Sequence, residues 1–314
     1  MANEIVKYRN RLNEIPLRKF NVREMNLFFA IASRFTGKGT KKITFSFKKL
    51  KKLSHYDRHS ERFVNELQRT YDKLIAINAY TDDGNTITKF TAFNEYQIKR
   101  REQTVTIAVN PKFKGLFNDL ISSFTRFSLE EFARLKSTYS KTMFRFLKQF
   151  RTTGYLEFKM SEFRRSLDIP KSYRIDTIDR RILRPIKLEL SPLFKNFAYE
   201  KLKEKGRGGK IVGYKFTWEP EAKDRNDFQD LETRYQEQLD NIKNNHFLKP
   251  SEKEASKKII KKYYRKNSRN RLYTHPSLIQ QKEVFSKIGR GKKLYKKSND
   301  AAKRALEDYK NGNK

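Results

Sequence analysis

Apolar positions in the first third of the chain alternate between a helical and a strand-like spacing. Between Asn21 and Phe35 they recur at the period of a helix, and Asn21 followed by Glu24 has the spacing of a capping box. A glycine-containing break comes next, and residues 41–47 (KKITFSF) then alternate between apolar and polar like a short strand. These segments predict a helix followed by a strand.

Two more helices and a set of strands follow in this part of the sequence. The first helix is short and turns Phe47, Leu50 and Leu53 inward, and the second runs from Arg58 to about Ile77. Residues 80–93 predict a β-hairpin that turns at Asp83-Gly84, because an Asp-Gly pair suits a two-residue turn. TVTIAV, residues 104–109, predicts another strand, and we expect it to lie at the edge of its sheet.

The same order of elements recurs in the second part of the chain. A Ser128–Glu131 capping box opens a helix that continues to about residue 151. The apolar stripe of this helix consists of Phe132, Leu135, Tyr139, Met143, Phe146 and Phe150. YLEFKM then predicts a strand, SEFRRSLDIP a short helix ended by Pro170, and residues 172–190 a longer helix. FAYEKLKEK and IVGYKFTWE predict two strands joined by a glycine-rich turn.

Helix pairs followed by a β-hairpin are the elements of a winged helix. A shift of 115 residues brings the two long helices into register. Their buried faces are then Phe63, Leu67, Tyr71 and Ile75 in the first helix, and Ile178, Ile182, Ile186 and Leu190 in the second. The sequence therefore predicts an α+β fold with two tandem winged-helix domains, each a helix-turn-helix plus a β-hairpin wing, and a basic, partly disordered C-terminal extension.

The exposed faces of the two long helices carry the candidate DNA-binding residues. These residues are Arg58, Arg62, Asn65 and Arg69 in the first helix, and Tyr173, Thr177, Arg180 and Arg184 in the second. All of them can donate hydrogen bonds to bases or phosphates. None is acidic, whereas a merely solvated face carries both signs of charge.

Pro185 lies inside the second long helix. It removes one backbone hydrogen bond, so we expect it to kink this helix after its first two turns. The N-terminal turns, which would enter a groove, are expected to stay regular.

The glycine-rich turn, KEKGRGGKIVGY (residues 203–214), resembles a phosphate-binding loop at first sight. No buried parallel strand precedes it and no helix follows it, so a nucleotide site is not predicted. The turn instead predicts the tip of a wing, in which Lys205, Arg207 and Lys210 hold a DNA backbone. A solvent-exposed turn without a ligand is the alternative. Beyond the turn, alternate residues are expected on one face: Val212, Tyr214, Phe216 and Trp218.

The charge balance favours a polyanionic partner. The chain of 314 residues has 72 Lys and Arg against 36 Asp and Glu, a formal net charge of +36. Such a surplus repels itself in a compact state unless a polyanion sits nearby. Nucleic acid, an anionic membrane surface and an acidic protein are all candidates, and the spread of basic residues along the whole chain favours nucleic acid.

Several kinds of chemistry lack a signal in this sequence. There is no cysteine, so disulfides and zinc-finger spacings are excluded. His55 and His59 have a spacing that could hold a metal, but the residues between them lack the glutamate of a zincin, and we interpret both as turn or surface residues. No Walker A motif and no secretory signal occur, and the longest apolar run is too short for a bilayer. We therefore predict no catalytic residue, no metal, no cofactor, no enzyme activity and no membrane partner.

After Pro220 the composition changes. Residues 227–245 predict an amphipathic helix with an apolar stripe of Phe228, Leu231, Tyr235, Leu239 and Ile242. This helix either packs against the second domain or offers a seam to a partner protein. From Lys249 onward the chain is rich in lysine with interleaved tyrosines, which is typical of a nucleic-acid-binding tail and also of a solubilising extension.

The stretch from YSKTMFRFLKQFRTTGYLEFK through SEFRRSLDIP and DRRILRP to GRGGKIVGYKFTW resembles the plasmid replication initiator (Rep) family, whose members have two winged-helix domains. The junction FTRFSLEEFARLKSTYS is similar to that family as well. The resemblance covers residues 1 to about 220 and is strongest from 124 to 218. It implies domains at 1–122, for dimerisation and DNA contact, and at 123–222, for the main DNA reading, followed by the extension at 223–314.

The resemblance also implies a function. The protein would bind direct repeats (iterons) of double-stranded DNA at a plasmid origin and recruit the host replication initiator and the replicative helicase. A homodimer in equilibrium with the monomer would repress the protein's own promoter, and the location would be the bacterial cytoplasm. Arg181 joins Tyr173, Thr177, Arg180 and Arg184 as a base-reading candidate. The residues alone leave open a two-domain winged-helix transcription regulator without a replication role, and a single-strand or RNA-binding protein.

Overall fold

The computed structural model of the protein describes residues 4–14, 17, 20–35, 42–56, 60–76, 78–82, 84–91, 93–111, 124–204, 209–223 and 231–274. For a few of these, residues 265–274 among them, it describes the backbone alone. Residues 1–260 form one compact unit and residues 261–314 a second. Both winged helices belong to the first unit.

The first winged helix follows the predicted order of elements, with three additions that the sequence did not predict: two elements at its start and the strand Phe93–Lys99. In chain order the elements are β1 (Ile5–Arg9), α1 (Arg11–Glu14), α2 (Val22–Ala32), β2 (Ile43–Ser46), α3 (Phe47–Leu53), α4 (Ser60–Ile75), β3 (Asn78–Asp82), β4 (Ile87–Thr91), β5 (Phe93–Lys99) and β6 (Thr104–Val109). The predicted capping box of α2 is confirmed: the Asn21 side chain accepts from the Glu24 N–H, and the Glu24 carboxylate accepts from the Asn21 N–H.

TVTIAV is the central strand of its sheet, so the prediction that it lies at an edge is wrong. The strand order is β2-β6-β5, with antiparallel pairing on both sides of β6. Val105, Ile107 and Val109 are buried in the core. Among the described strands, β2 and β5 form the two edges of this sheet. The β3–β4 hairpin forms a separate two-stranded sheet, and Gly84 in its turn has a φ of 85°, which glycine adopts readily.

Strand β1 pairs with a strand far away in the sequence. It runs antiparallel to β7 (Phe124–Ser128), with Ile5 opposite Ser128. Val6 and Tyr8 of β1 are completely buried. The first residues of the chain therefore hold the junction between the two winged helices, and only the partner strand makes this five-residue segment a strand.

The second winged helix repeats the order of the first. The junction strand β7 is followed by α5 (Leu129–Arg134), and the second winged helix then consists of α6 (Thr138–Gln149), β8 (Tyr155–Lys159), α7 (Met160–Leu167), α8 (Ile175–Ile178), a π-helical turn (Asp179–Leu183), α9 (Arg184–Leu190), β9 (Ala198–Lys203) and β10 (Ile211–Thr217). The prediction of one helix from Ser128 to residue 151 is wrong. Leu135 is extended, and the Ser137 side chain caps the new helix α6 by accepting from the Ser140 N–H.

Helix α6 carries three buried basic residues, which the apolar pattern did not predict. Lys141 donates to Asn26 Oδ1 (2.7 Å), and Arg145 donates to Tyr8 Oη (3.2 Å) and to the carbonyl of Leu12. Burial lowers the pKa of the Lys141 ammonium well below its ordinary value. Because these contacts reach α2, β1 and α1, helix α6 joins the two winged helices, and its buried cations are inaccessible to DNA.

The third buried cation of α6 binds the chain after the wing. Lys148 pairs with Glu221, and both side chains are about 95% buried, with exposed fractions of 4% and 5%. Arg151 lies 3.6 Å from the other Glu221 oxygen, and the Glu221 N–H donates to the Arg151 carbonyl (2.8 Å). The predicted stripe residues Tyr139, Phe146 and Phe150 are only half-buried, because the buried face of α6 runs through these cations.

A β-bulge in β10 changes the predicted alternation of the wing. The pairing with β9 shifts between Ile211 and Gly213, and Val212 is exposed. Tyr214, Phe216 and Trp218 are buried as predicted. Val212 was predicted to share their face, and that prediction is wrong because a bulge inserts one residue and reverses the alternation on one side.

Replacing Gly213 by alanine is expected to lower the free energy of unfolding by about 1–3 kcal/mol, the usual cost of forcing an atom into a packed site. A β-carbon at this position would lie 2.2 Å from the carbonyl oxygen of Phe158 in β8, so a backbone segment must move. Denaturant unfolding of the variant measures the loss. Gly84→Asn is the matched control: nothing lies within 4 Å of its β-carbon, and asparagine tolerates a positive φ, so a smaller loss is expected. Equal losses in the two variants would contradict this packing argument.

Two helices of the C-terminal extension follow the wing. They are α10 (Leu231–Asn244) and α11 (Pro250–Thr274). Helix α10 packs on the second winged helix, which is one of the two interpretations of its sequence. At the start of α11, Glu252 pairs with Lys187 of α9 (2.8 Å), and the Ser256 hydroxyl donates to the Leu188 carbonyl (3.0 Å). The described part of the extension is therefore folded up to Ile260. The domain boundaries at residues 122 and 222 stay predictions.

Candidate nucleic-acid interface

The recognition helix of the second winged helix is built from α8, the π-helical turn and α9. Its predicted buried residues, Ile178, Ile182, Ile186 and Leu190, are all completely buried, and so is Leu183. This apolar face packs against the core and leaves the opposite face outward. The predicted buried face is therefore confirmed.

Pro185 is accompanied by a local change of helix type, and the predicted kink stays a prediction. The helix has a π-helical turn directly before the proline, where the Arg184 N–H donates to the Asp179 carbonyl five residues back. A proline ring crowds the carbonyl four residues before it, and a wider turn accommodates the ring without ending the helix. The expectation of regular N-terminal turns holds for Ile175–Ile178, which is α-helical, but not for Arg180 and Arg181, which lie within the π-helical turn.

The base-reading candidates of this helix differ in how firmly they are held. Arg180, Arg181 and Arg184 are exposed, whereas Tyr173 and Thr177 are half-buried. Asp176 is also exposed beside Thr177, so the outward side includes one carboxylate that the register argument did not count. Arg180 and Arg184 form no ion pair with any residue that the structure describes.

Tyr173 holds Arg181 in place. The Arg181 guanidinium donates to Tyr173 Oη (3.2 Å) and lies 5.6 Å from the centre of its ring. Arg164 of α7 donates to the Tyr173 carbonyl (2.7 Å) and so fixes its backbone. Burial raises the pKa of the nearby Tyr139 hydroxyl, and the Tyr173 hydroxyl and the Asp168 carboxylate add to this rise. Tyr139, whose spacing suggested only a core position, therefore belongs to the support of this face.

The wing lies beside the recognition helix. Lys201 of β9 pairs with Asp179 of the π-helical turn, which ties the hairpin to the helix. The hairpin closes where the Glu204 N–H donates to the Lys210 carbonyl (2.9 Å), and the Lys210 side chain is exposed. Lys205 and Arg207, predicted at the wing tip, lie outside the described residues.

The recognition helix of the first winged helix, α4, has a similar outward face. Arg62, Asn65 and Arg69 are exposed, and Arg58 lies outside the described residues. The predicted buried residues Phe63, Leu67 and Tyr71 are confirmed. Ile75 is 40% exposed, so its predicted burial is wrong: the helix ends there, and Leu74 fills the core instead.

Membrane-spanning and metal-binding features are absent from the residues that the structure describes. No helix among them is long and apolar enough to cross a membrane. No group of three His, Asp or Glu side chains in the same part of the chain could hold a metal ion. Apart from the Asp176 carboxylate, the predicted DNA-binding residues on the outward sides of the recognition helices offer guanidinium, amide and hydroxyl donors, and Lys210 adds an ammonium group.

Two tandem winged helices with arginine-rich recognition helices define a class of DNA-binding folds. The family models agree: the "Initiator Replication protein, WH1" model matches residues 5–148 and the "Initiator Rep protein, WH2" model matches residues 159–218. The chain is 35% identical over 226 residues to the "Probable replication protein rep" of Bifidobacterium longum (strain NCC 2705), covering 71% of this chain and 75% of that protein. The chain belongs to the replication initiator (Rep) family.

A solved structure has the same fold. The Pi initiator protein, crystallised in complex with iteron DNA, matches with a TM-score of 0.55 at 14% sequence identity. The match covers 69% of this chain and 98% of that one. The predicted fold of two winged helices is confirmed.

Proposed function

We propose that this protein starts plasmid replication by binding direct repeats of double-stranded DNA at an origin. The observation that carries the proposal is the pair of recognition helices within one compact unit, each with an outward face of arginine and amide or hydroxyl donors. Membership of the initiator family supports it, and so does the likeness to a Pi initiator that was crystallised with iteron DNA.

Each recognition helix enters a major groove in this proposal. Successive major grooves on one face of B-DNA lie ~10–10.5 base pairs apart, so a monomer covers roughly 20 base pairs. The second winged helix does most of the base reading, through Tyr173, Thr177, Arg180, Arg181 and Arg184. The first adds contacts through Arg58, Arg62, Asn65 and Arg69, and the wing grips phosphates through Lys205, Arg207 and Lys210.

Further steps of initiation belong to the same proposal. Occupancy of several repeats strains a neighbouring AT-rich segment and lowers the cost of opening it. The bound protein recruits the host replication initiator and the replicative helicase. A dimer, in equilibrium with the monomer, represses the protein's own promoter in the bacterial cytoplasm.

A plasmid assay tests the proposal. The gene is cloned with its upstream DNA on a circle that has no other origin, and replication of the circle is measured. Replication that disappears when the repeats are deleted supports the proposal. A circle that never replicates, although the protein binds its repeats, would instead indicate a transcription regulator.

Replacing Arg184 by alanine is expected to weaken binding to the specific repeat by about 1–3 kcal/mol and to relax the preference at one base pair. An exposed arginine on a recognition helix can form two hydrogen bonds to a guanine, and alanine forms none. Fluorescence anisotropy with repeats substituted at each position measures both effects. An equal loss on specific and shuffled duplexes would show that Arg184 contacts only a phosphate.

A further inference from the structure

Helix α10 is attached to the rest of the folded unit through polar side chains. Arg234, Gln238, Asn241 and Asn245 are buried; the first three lie on one face of α10, and Asn245 directly follows the helix. Of the predicted apolar stripe that the structure describes, Ile242 is completely buried, while Tyr235 and Leu239 are half-buried. Neither family model reaches this helix.

The first half of this polar face binds the junction after the first winged helix. Arg234 Nη1 donates to Ser128 Oγ (2.7 Å), and Arg134 donates to Gln238 Oε1. Ser128 ends strand β7 and caps α5. The amide of Asn26 in α2 donates to the Ala133 carbonyl of α5 (3.2 Å), so this junction is held to the first winged helix.

The second half binds the second winged helix. Asn241 Nδ2 donates to the Pro192 carbonyl (3.0 Å), and Asn245 Nδ2 donates to the Phe197 carbonyl (3.1 Å). Both carbonyls lie in the segment that joins the recognition helix, which ends at Leu190, to wing strand β9. Helix α10 therefore supports both DNA-contacting elements of that domain through the segment that connects them.

We propose that α10 is a strap that fixes the spacing of the two recognition helices, and that Arg234, Gln238, Asn241 and Asn245 are positioning residues for it. Buried hydrogen-bonding groups are costly to leave unpaired, so the two ends of the strap resist separation of the junction from the second winged helix. The consequence for DNA binding rests on the function proposed above. When the distance between the two recognition helices is fixed, both can bind one repeat only if its two contact regions are separated by the matching distance.

The strap can be tested on the protein alone. The chain has no cysteine, so cysteines introduced at Lys48 of α3 and Ser161 of α7, both exposed, can carry nitroxide labels. The strap variant is Gln238→Ala/Asn241→Ala. The matched control is Gln236→Ala/Asn244→Ala, which removes the same residue types from the exposed side of the same helix. We expect a broader distance distribution in the strap variant and the parent distribution in the control.

The second arm measures DNA binding by the same proteins without labels. One base pair inserted between the two contact regions of a repeat should weaken binding by the parent and the control about 10- to 100-fold, comparable to the cost of a mismatched base pair in a specific site. The strap variant should lose less affinity on this insertion. Thermal melting curves identify a temperature at which every variant is folded, and both arms are measured there. If the double variant is unfolded at every temperature, the single variants Gln238→Ala and Asn241→Ala are used instead.

The two arms separate the two proposals. An unchanged distance distribution in the folded strap variant overturns the strap, whatever the DNA result. If the distance distribution broadens in the strap variant but the parent protein binds no repeat, the strap proposal is supported and the DNA-binding proposal is contradicted. A strap variant that discriminates against the inserted base pair as strongly as its parent overturns the link between strap and spacing.

Discussion

Replacing Glu221 by alanine is expected to lower the free energy of unfolding by about 3–5 kcal/mol, the usual cost of removing one member of a buried ion pair. Glu221 is buried against Lys148, and Arg151 lies 3.6 Å away. The substitution leaves the Lys148 ammonium in the core without its carboxylate. Urea unfolding, followed by circular dichroism, measures the loss.

Glu219→Ala is the matched control for this prediction. Glu219 also pairs with a lysine, Lys195, at 2.8 Å, but both side chains are about half exposed. An exposed pair contributes only about 0–1 kcal/mol. Similar losses for the two variants would contradict the view that burial of the Lys148–Glu221 pair ties the end of the second winged helix to α6.

Affinity for a specific repeat is expected to fall about 10³- to 10⁵-fold between 50 and 200 mM salt. If two recognition helices and a wing together neutralise about seven phosphates or more, the log–log slope is about −6 or steeper, because each neutralised phosphate releases counterions. Anisotropy titrations at several salt concentrations measure the slope.

The first recognition helix provides an internal check on the salt dependence. Removing exposed cations, as in Arg62→Ala/Arg69→Ala, should make the slope shallower by about 1 for each phosphate that the variant no longer neutralises. Glu219→Gln is the control, because Glu219 is exposed and its substitution removes no cation. The salt-dependence slope of this variant should be at least as steep as that of the parent. A flat salt response of the parent would contradict binding to an extended stretch of DNA.

The sequence predicted those parts of the fold that local periodicity determines. The buried residues Phe63 and Leu67 of α4 and Ile178, Ile182 and Ile186 of the second recognition helix follow from helical spacing alone. The outward positions of Arg62, Arg69, Arg180 and Arg184 on these two helices follow from the same spacing.

The errors arise where a distant partner decides the environment of a residue. Strand β1 exists because β7 pairs with it, and TVTIAV is central because β5 lies on its second side. Lys141, Arg145 and Lys148 carry charges that the apolar pattern places on the surface, yet each has a partner from a remote segment that makes its burial possible. Spacing along the chain carries no signal for such partners.

Two local irregularities of the backbone could not be predicted from the periodicity of apolar residues. The bulge at Gly213 turns Val212 outward, and a π-helical turn replaces α-helical backbone hydrogen bonding before Pro185. The proline gave a signal that some adjustment was needed, but not which adjustment. Helix α10 is the clearest case: its apolar stripe predicted one packing face, whereas hydrogen bonds of Arg234 and Asn241 define the face that packs.

Chemical protection of guanine N7 on a duplex with the direct repeats from beside the gene tests the central claim most directly. If both recognition helices read one repeat, two clusters of protected guanines should appear on one face of the DNA, ~10–10.5 base pairs apart. Arg184→Ala should remove protection in one cluster, and Arg62→Ala/Arg69→Ala should weaken the other. A single protected cluster, or the same protection on a shuffled duplex, would contradict the reading of one repeat by two winged helices.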